Sequence, residues 1–481
     1  MSRSVAGGSP AREGVLVALA AVTLALALGW SYGAFHPGAL ALATGAAGMA
    51  VIAARGSRRS PVAPGDARPF PITSTHVLGI GIAASLVVDL VTIPGFSVRE
   101  PELGALRPVI VAAAALVATW RWRRATKAVV RARFPLALAL TAAASVIVLR
   151  ASFPPEIDVW YFDQLGSTAL WRGFDPYLVA YPNLYDPNDP DAYYAQALLS
   201  ADGATVLANP YPPLTLVAGG PAALLGDVRW TMVVCVIAAA WMIRALGRGA
   251  RDAELAALLV VLQPRTLFVL EQSWTEPMVL AAMMLVILAV DRWRERRLGS
   301  GGSNDGWYGW VTTGTAGALA LGTKQYTPLL LLPVYCAAPL RHRWKAAVLA
   351  VAGVAALAVP FLWTDASSFW RSVVMFQLMQ PFREGALSWP AAVVWLGGPR
   401  LPSWPAFALA GLVLALLLRR ESSLAHAVTT AAAAWLVLVL FNKQAFCNYY
   451  WAAVGILCAA TALHARGSAP EGSTSQISPE P

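Results

Sequence analysis

Fourteen apolar runs of about 16 to 21 residues, set apart by short basic stretches, dominate this sequence. At about 1.5 Å per residue, a helix of that length matches the hydrocarbon core of a bilayer. The composition agrees, with 57% of residues hydrophobic and 13% charged and a mean hydropathy of +0.57. Such a chain is not an ordinary soluble domain. The expected fold is all-α, a polytopic membrane protein with about 14 transmembrane helices.

The runs fall near Val15–Phe35, Gly38–Ala54, Thr75–Ile93, Gly104–Trp120 and Phe134–Leu149. They resume near Trp230–Leu246, Ala253–Leu270, Thr275–Val290, Trp307–Leu321, Tyr326–Leu340, Ala346–Trp363, Trp404–Leu418, Leu424–Phe441 and Phe446–Leu463. The first run follows Arg3 and Arg12 as a signal peptide would, but a second run comes at once with no A-x-A type cleavage site in a polar context, so it reads as a retained helix.

Short loops rich in Lys and Arg stay on the cytoplasmic side. Arg55, Arg58, Arg59 and Arg68 fill one loop, and Arg121, Arg123, Arg124, Lys127, Arg131 and Arg133 another. Arg292 to Arg297, Arg341 to Lys345, and Arg419 with Arg420 continue the pattern, which puts both termini inside. The net charge of +10 is spread over separate loops and is an orientation signal rather than a nucleic-acid patch.

Parity requires that Tyr211–Gly226, apolar as it is, lie on or dip into the outer face, because counting it as a span would put Arg248 and Arg251 outside. The outer loop then runs over residues 150–228, and the acids from Glu156 to Asp227 face only Arg172 in its interior. A second outer segment, Thr364–Ser403, carries aromatics among Pro381 and Pro390 and reads as short interfacial pieces. The cysteines lie in or beside apolar runs, and the histidines are scattered without ligand spacing, so neither a disulfide framework nor a metal site is expected.

Four outer places carry polar groups at a cost. Asp158, in Pro-Pro-Glu-Ile-Asp-Val-Trp-Tyr, follows a span closely and can act as a general base, or simply as a first-turn acid for the following helix. Trp171–Tyr177 and Asn209–Leu214 are turns that present aromatics, either to a sugar or to nothing in particular. The fourth place joins Glu271, Gln272 and Glu276 to Lys324, Gln325 and Tyr326. Lys324 sits at an outer span end against the orientation rule, so it needs a partner, a lipid-linked phosphate or Glu276.

This ordered set resembles the GT-C superfamily of membrane glycosyltransferases, and most closely the actinobacterial polyprenyl-phosphate-mannose-dependent mannosyltransferases, glycosyltransferase family 87, over about Phe134–Leu340. The resemblance implies a GT-C-like core over residues 133–363, with the outer loop 150–228 carrying juxtamembrane helices. Residues 1–132 are then four extra N-terminal helices, 364–466 the outer segment and C-terminal helices, and 467–481 a disordered cytoplasmic tail.

It also implies an inverting transferase in a bacterial plasma membrane, with its site on the outer face. A polyprenyl-phosphate sugar would be the donor, and a glycolipid or cell-envelope polysaccharide the acceptor. Asp158 would be the base, Lys324, Tyr326, Gln272 and Glu276 the donor side, and Asp163, Tyr177 and Tyr211 the acceptor side. Glu156 and Asp163 are both candidates for a second acid. No cofactor is implied, although Asp186, Asn188, Asp189 and Asp191 could make a hard-cation loop as well as a string of turns. The competing readings are a transporter or lipid flippase, with Asp89 as its main mid-span charge, and a non-catalytic envelope scaffold.

Overall fold

The computed structural model describes residues 10–56, 72–96, 98, 100–121, 126–186, 193–299, 307–418 and 423–467. Several expectations lie outside these residues: the basic side chains Arg58, Arg59, Arg68, Arg123, Arg124, Arg419 and Arg420, the tail from Ser468, and Asn188, Asp189 and Asp191 of the hard-cation loop.

Every apolar run but Ala253–Leu270 falls on a single helix, because each supplies a long stretch of helix-compatible residues between Gly, Pro and charged breaks. The first five are α1 (Pro10–Ser31), α2 (Pro37–Gly56), α3 (Ser74–Val91), α4 (Glu100–Ala118) and α5 (Lys127–Ala151). The outer loop contributes α6 (Asp158–Trp171) and α7 (Pro213–Leu224), and α8 (Arg229–Leu246) follows. Then come α9 (Arg251–Leu262), α10 (Thr266–Glu271), α11 (Glu276–Gly299), α12 (Trp307–Leu321), α13 (Thr327–Ala337) and α14 (Arg343–Trp370). Two short helices, α15 (Phe376–Met379) and α16 (Trp389–Trp395), precede α17 (Trp404–Leu417), α18 (Leu424–Leu440) and α19 (Cys447–Gly467).

Among the described residues, six helical stretches are long and apolar enough to cross a membrane by length and composition: Ala11–Ser31, Pro37–Gly56, Ser74–Val91, Lys127–Ala151, Arg229–Leu246 and Arg343–Met379, the last running from α14 through α15. Five shorter apolar helices accompany them. Among these is α7, whose 12 residues span about 18 Å, short of the hydrocarbon core.

One hydrophobic core runs from α1 to α19, so the four N-terminal helices pack into the bundle. Helix α1 lies against α2, α3 and α19, and α19 is buried along most of its length. Small residues permit the close approach: a Cβ on Gly81 of α3 would come within 2.4 Å of Val22 on α1.

The run Ala253–Leu270, expected as one span, is broken into α9 and α10. Pro264 has no N–H to return to the carbonyl of Val260, which instead accepts from the Thr266 hydroxyl at 2.8 Å. Arg265, fully buried, donates to the Leu28 and Gly29 carbonyls at 3.2 and 2.5 Å. Its guanidinium lies 3.3 Å over the Tyr32 ring. The break thus fastens the N-terminal helices to the centre of the bundle. Asp89, near the C-terminal end of α3, is buried, and its Oδ1 has no partner among the described residues. With Gln263 and Thr141 it lines a cavity of about 30 Å³.

The second outer segment also departs from expectation. Helix α14 continues past Thr364 after a kink at Asp365, whose carboxylate accepts from the Ser367 and Ser368 N–H groups at 2.9 and 3.1 Å and starts a new helical turn. Phe369 and Phe376 pack against Phe162, Tyr177 and Tyr194 of the 150–228 loop in a separate aromatic core, while Trp370, Trp389 and Trp395 of the same segment are exposed. A two-residue ribbon, β1 (Tyr181–Pro182) antiparallel to β2 (Thr205–Val206), holds this loop in register, with Tyr181 opposite Val206.

Candidate active site

Helix α6 brings the two outer acids into one region. Asp158 is its first residue and half-buried. Its Oδ1 accepts the Val159 N–H at 2.8 Å, as a first-turn acid does. Its Oδ2 accepts a short hydrogen bond from the Tyr194 hydroxyl, and Tyr185 packs against the Tyr194 ring with centroids 5.7 Å apart. Burial pushes the Asp158 carboxyl above the usual range, while the two tyrosines, the Val159 N–H and Arg383 act against that rise. A base raised toward neutrality suits proton abstraction better than an ordinary aspartate.

Asp163 lies five residues on, about 7.5 Å along the helix axis, and is 1% exposed. Its Oδ2 accepts from the Ser273 hydroxyl at 3.5 Å, and its Oδ1 has no partner among the described residues. Ser273 is held at φ 56° in the turn between α10 and α11, a conformation unusual for a residue with a Cβ. Burial raises the Asp163 carboxyl well above its ordinary range, Lys324 opposes this, and Glu276 and Asp158 add to it.

Glu276 opens α11 and is fully buried. Its Oε1 accepts from Lys324 Nζ at 3.2 Å and from the Tyr326 hydroxyl at 3.0 Å, and its Oε2 from Asn448 Nδ2 at 2.7 Å. The Lys324 ammonium also lies 5.0 Å from the centre of the Tyr211 ring. The turn that carries Lys324 is pinned on both sides. Thr215 of α7 donates to the Thr323 carbonyl at 2.8 Å, and the Gln325 amide donates to the Pro210 and Val373 carbonyls at 2.8 and 3.0 Å.

Of the residues singled out in the sequence, Asp158, Asp163, Tyr211, Glu276, Lys324 and Tyr326 therefore gather in one cluster around the N-terminal ends of α6, α11 and α13. Tyr177 and Gln272 do not join it. Tyr177 is 1% exposed in the loop core, donates to the Tyr211 carbonyl at 2.9 Å and meets Phe361 and Phe369 edge-on, so it supports Tyr211 and offers no face to an acceptor. Gln272 turns toward Glu271, donating to its Oε2 at 3.2 Å, and that carboxylate also holds the Phe96 N–H at 2.9 Å. Glu156 is exposed. Among the described residues, no group of three His, Cys, Asp or Glu is placed to hold a metal.

Sequence reasoning missed Tyr185, Tyr194, Ser273, Arg383 and Asn448. The signal for the tyrosines was present as aromatic residues inside an acidic loop. Arg383 and Asn448 come from segments far along the chain that only the fold brings near.

No family model matches the chain, and no curated protein does. Two solved structures are similar to it: the archaeal oligosaccharyltransferase AglB from Archaeoglobus fulgidus in complex with an inhibitory peptide and a dolichol-phosphate, and the Archaeoglobus fulgidus oligosaccharyltransferase in its apo form. Each is 16% identical, with a TM-score of 0.37 over 68% of this chain. The chain spans 50% of the length of either one.

Proposed function

We propose that the chain is a membrane glycosyltransferase that moves a sugar from a polyprenyl-phosphate donor to a glycolipid or cell-envelope polysaccharide on the outer face of a bacterial plasma membrane. The observation that carries this reading is the cluster itself. A half-buried carboxylate of raised pKa, Asp158, shares helix α6 with Asp163, which lies in the field of the Lys324–Glu276 pair. The apolar helices supply the setting.

In this reading Asp158 takes the proton from an acceptor hydroxyl as that oxygen bonds to the anomeric carbon. The bond from that carbon to the phosphate oxygen breaks on the opposite side, and polyprenyl phosphate leaves with the electron pair. Displacement from the far side inverts the anomeric configuration. Lys324 offsets charge on the departing phosphate, and Tyr211 together with Glu276, itself held by Tyr326, fixes the direction in which its ammonium points. Mannose is the sugar suggested by the sequence resemblance. The donor arrives activated, so no nucleotide site or cofactor is required.

The test is transfer from labelled polyprenyl-phosphate mannose by purified protein in lipid, with a membrane glycolipid extract as acceptor. Wild type is expected to transfer sugar and Asp158→Asn to lose transfer. Equal transfer by both proteins would remove Asp158 from the mechanism.

A further inference from the structure

Asp158 is held by side chains that a distant segment fixes in place. Residues 380–388 form a strap across the outer face, bonded on two sides. The Arg383 N–H donates to the Lys443 carbonyl and the Leu387 N–H to the Ala445 carbonyl, both at 3.1 Å, in the turn between α18 and α19. On the other side, the Phe35 N–H of the α1–α2 turn donates to the Gly385 carbonyl at 2.8 Å. The Gln444 amide adds bonds to Gln380 Oε1 at 2.8 Å and the Pro381 carbonyl at 3.0 Å.

From this strap Arg383 reaches the outer loop. Its Nη2 donates to the Tyr193 carbonyl at 2.7 Å, and its guanidinium carbon lies 3.9 Å from the centre of the Tyr193 ring. Tyr185 stacks on the same ring with centroids 3.7 Å apart and planes 9° from parallel. Two groups that close to one centroid occupy opposite faces, so Arg383, Tyr193 and Tyr185 form a three-layer stack. Tyr185 also packs against the Tyr194 ring with centroids 5.7 Å apart, and the Tyr194 hydroxyl bonds Asp158.

Resting on the glycosyltransferase reading, we infer that Arg383 is a positioning residue for the base: through Tyr193, Tyr185 and Tyr194 it fixes the Asp158 carboxylate toward the acceptor hydroxyl. Its charge and its stack act in the same direction, since both favour the ionised carboxylate. The other groups that face Asp158 are Tyr194 and Tyr211 from the same loop and Asp163 from α6, whose own carboxyl the Asp158 charge raises further. The inference also gives the N-terminal helices a part in the site, because the α1–α2 turn is one of the strap's anchors.

Two measurements on the full-length protein in lipid test this. Transfer kinetics of Arg383→Ala should show kcat lowered by up to about a hundredfold with the donor KM unchanged. The acid limb of its pH profile should move to higher pH, with partial recovery of both in Arg383→Lys. An infrared titration of the protonated-carboxyl band that is absent in Asp158→Asn reads the same geometry without turnover. Its midpoint should rise in Arg383→Ala, rise likewise in Tyr193→Ala, and rise no further in the double variant.

Failure of wild type to transfer sugar would overturn the glycosyltransferase reading, while the titration still decides whether Arg383 governs Asp158. A midpoint in Arg383→Ala equal to wild type, in protein of unchanged melting temperature, would overturn the inference. Should Arg383→Ala not fold, Arg383→Lys and Tyr193→Ala carry the same comparison.

Discussion

Two buried ion pairs stand close together at the outer end of the bundle, and they are built differently. Asp227 and Arg229 form a closed pair. The guanidinium meets the carboxylate at 2.7 to 3.0 Å and spends its other donors on Ser152 Oγ at 2.9 Å, the Glu271 carbonyl at 3.2 Å and the Leu149 carbonyl at 2.9 Å. Trp160 Nε1 completes Asp227 at 3.2 Å. Glu276 and Lys324 form an open one. Among the described residues, Asp163 Oδ1, Asn448 Oδ1 and Thr275 Oγ1 have no partner, although all three residues are buried. Leaving buried polar groups unpaired costs about 1 to 3 kcal/mol each. The closed pair is thus fitted for holding helices in place, whereas polar groups near the open one are held at a cost.

The comparison breaks most sharply at Arg229. Arg229→Leu leaves Asp227 buried and unpaired, so stability should fall by about 3 to 5 kcal/mol. It should be read as a large drop in melting temperature or loss of folded protein from detergent. A variant that melts like wild type would mean that the closed pair holds nothing.

Asp158→Asn should do the reverse, lowering transfer by about a hundredfold or more while leaving the melting temperature within a few degrees. A fall in melting temperature with transfer retained would make Asp158 only the first-turn acid of α6, which its bond to the Val159 N–H also allows.

How much of this was legible follows the same division. Apolar runs marked the long helices, because a bilayer demands long runs and those runs have few alternatives. Lys324 stood out because a cation at an expected outer span end breaks a strong rule, and Asp158 because it follows an apolar run so closely. Arg229 did not, since at the edge of an apolar run an arginine looks like loop punctuation, and Arg265 was hidden inside the run Ala253–Leu270. Only the fold shows the carbonyls each one satisfies. The break at Pro264 was written in the sequence as Gln-Pro-Arg, but the hydropathy of its neighbours outweighed it. Tyr177 shows the opposite failure, a turn aromatic read as sugar-facing that the loop needed for its own core.

A smaller effect sharpens the open pair. Lys324→Met and Glu276→Gln should each destabilise, the first by stranding a buried carboxylate. The double variant should lose less than the sum of the two, with a coupling of about 1 to 2 kcal/mol in a double-mutant cycle. Additive losses would show that the two side chains do not depend on one another, despite their 3.2 Å separation.

The smallest effect expected is the pH dependence of Asp163. Its carboxyl is raised well above the usual aspartate range, chiefly by burial. The folded protein therefore holds this proton at pH values where the unfolded chain has already lost it. Across the window from the ordinary aspartate value up to the raised one, the native state binds more protons than the unfolded state. Stability from this group is then fully present at the acidic end and is lost as pH rises through the window. This is opposite to the behaviour of a carboxylate committed to a salt bridge. Asp163→Asn, which stays neutral throughout, should flatten the decline in melting temperature with rising pH and leave Asp227-dependent stability untouched. A slope unchanged by the substitution would mean that Asp163 is ionised in the folded protein with Lys324 as its counter-charge, and the two pairs would then be alike.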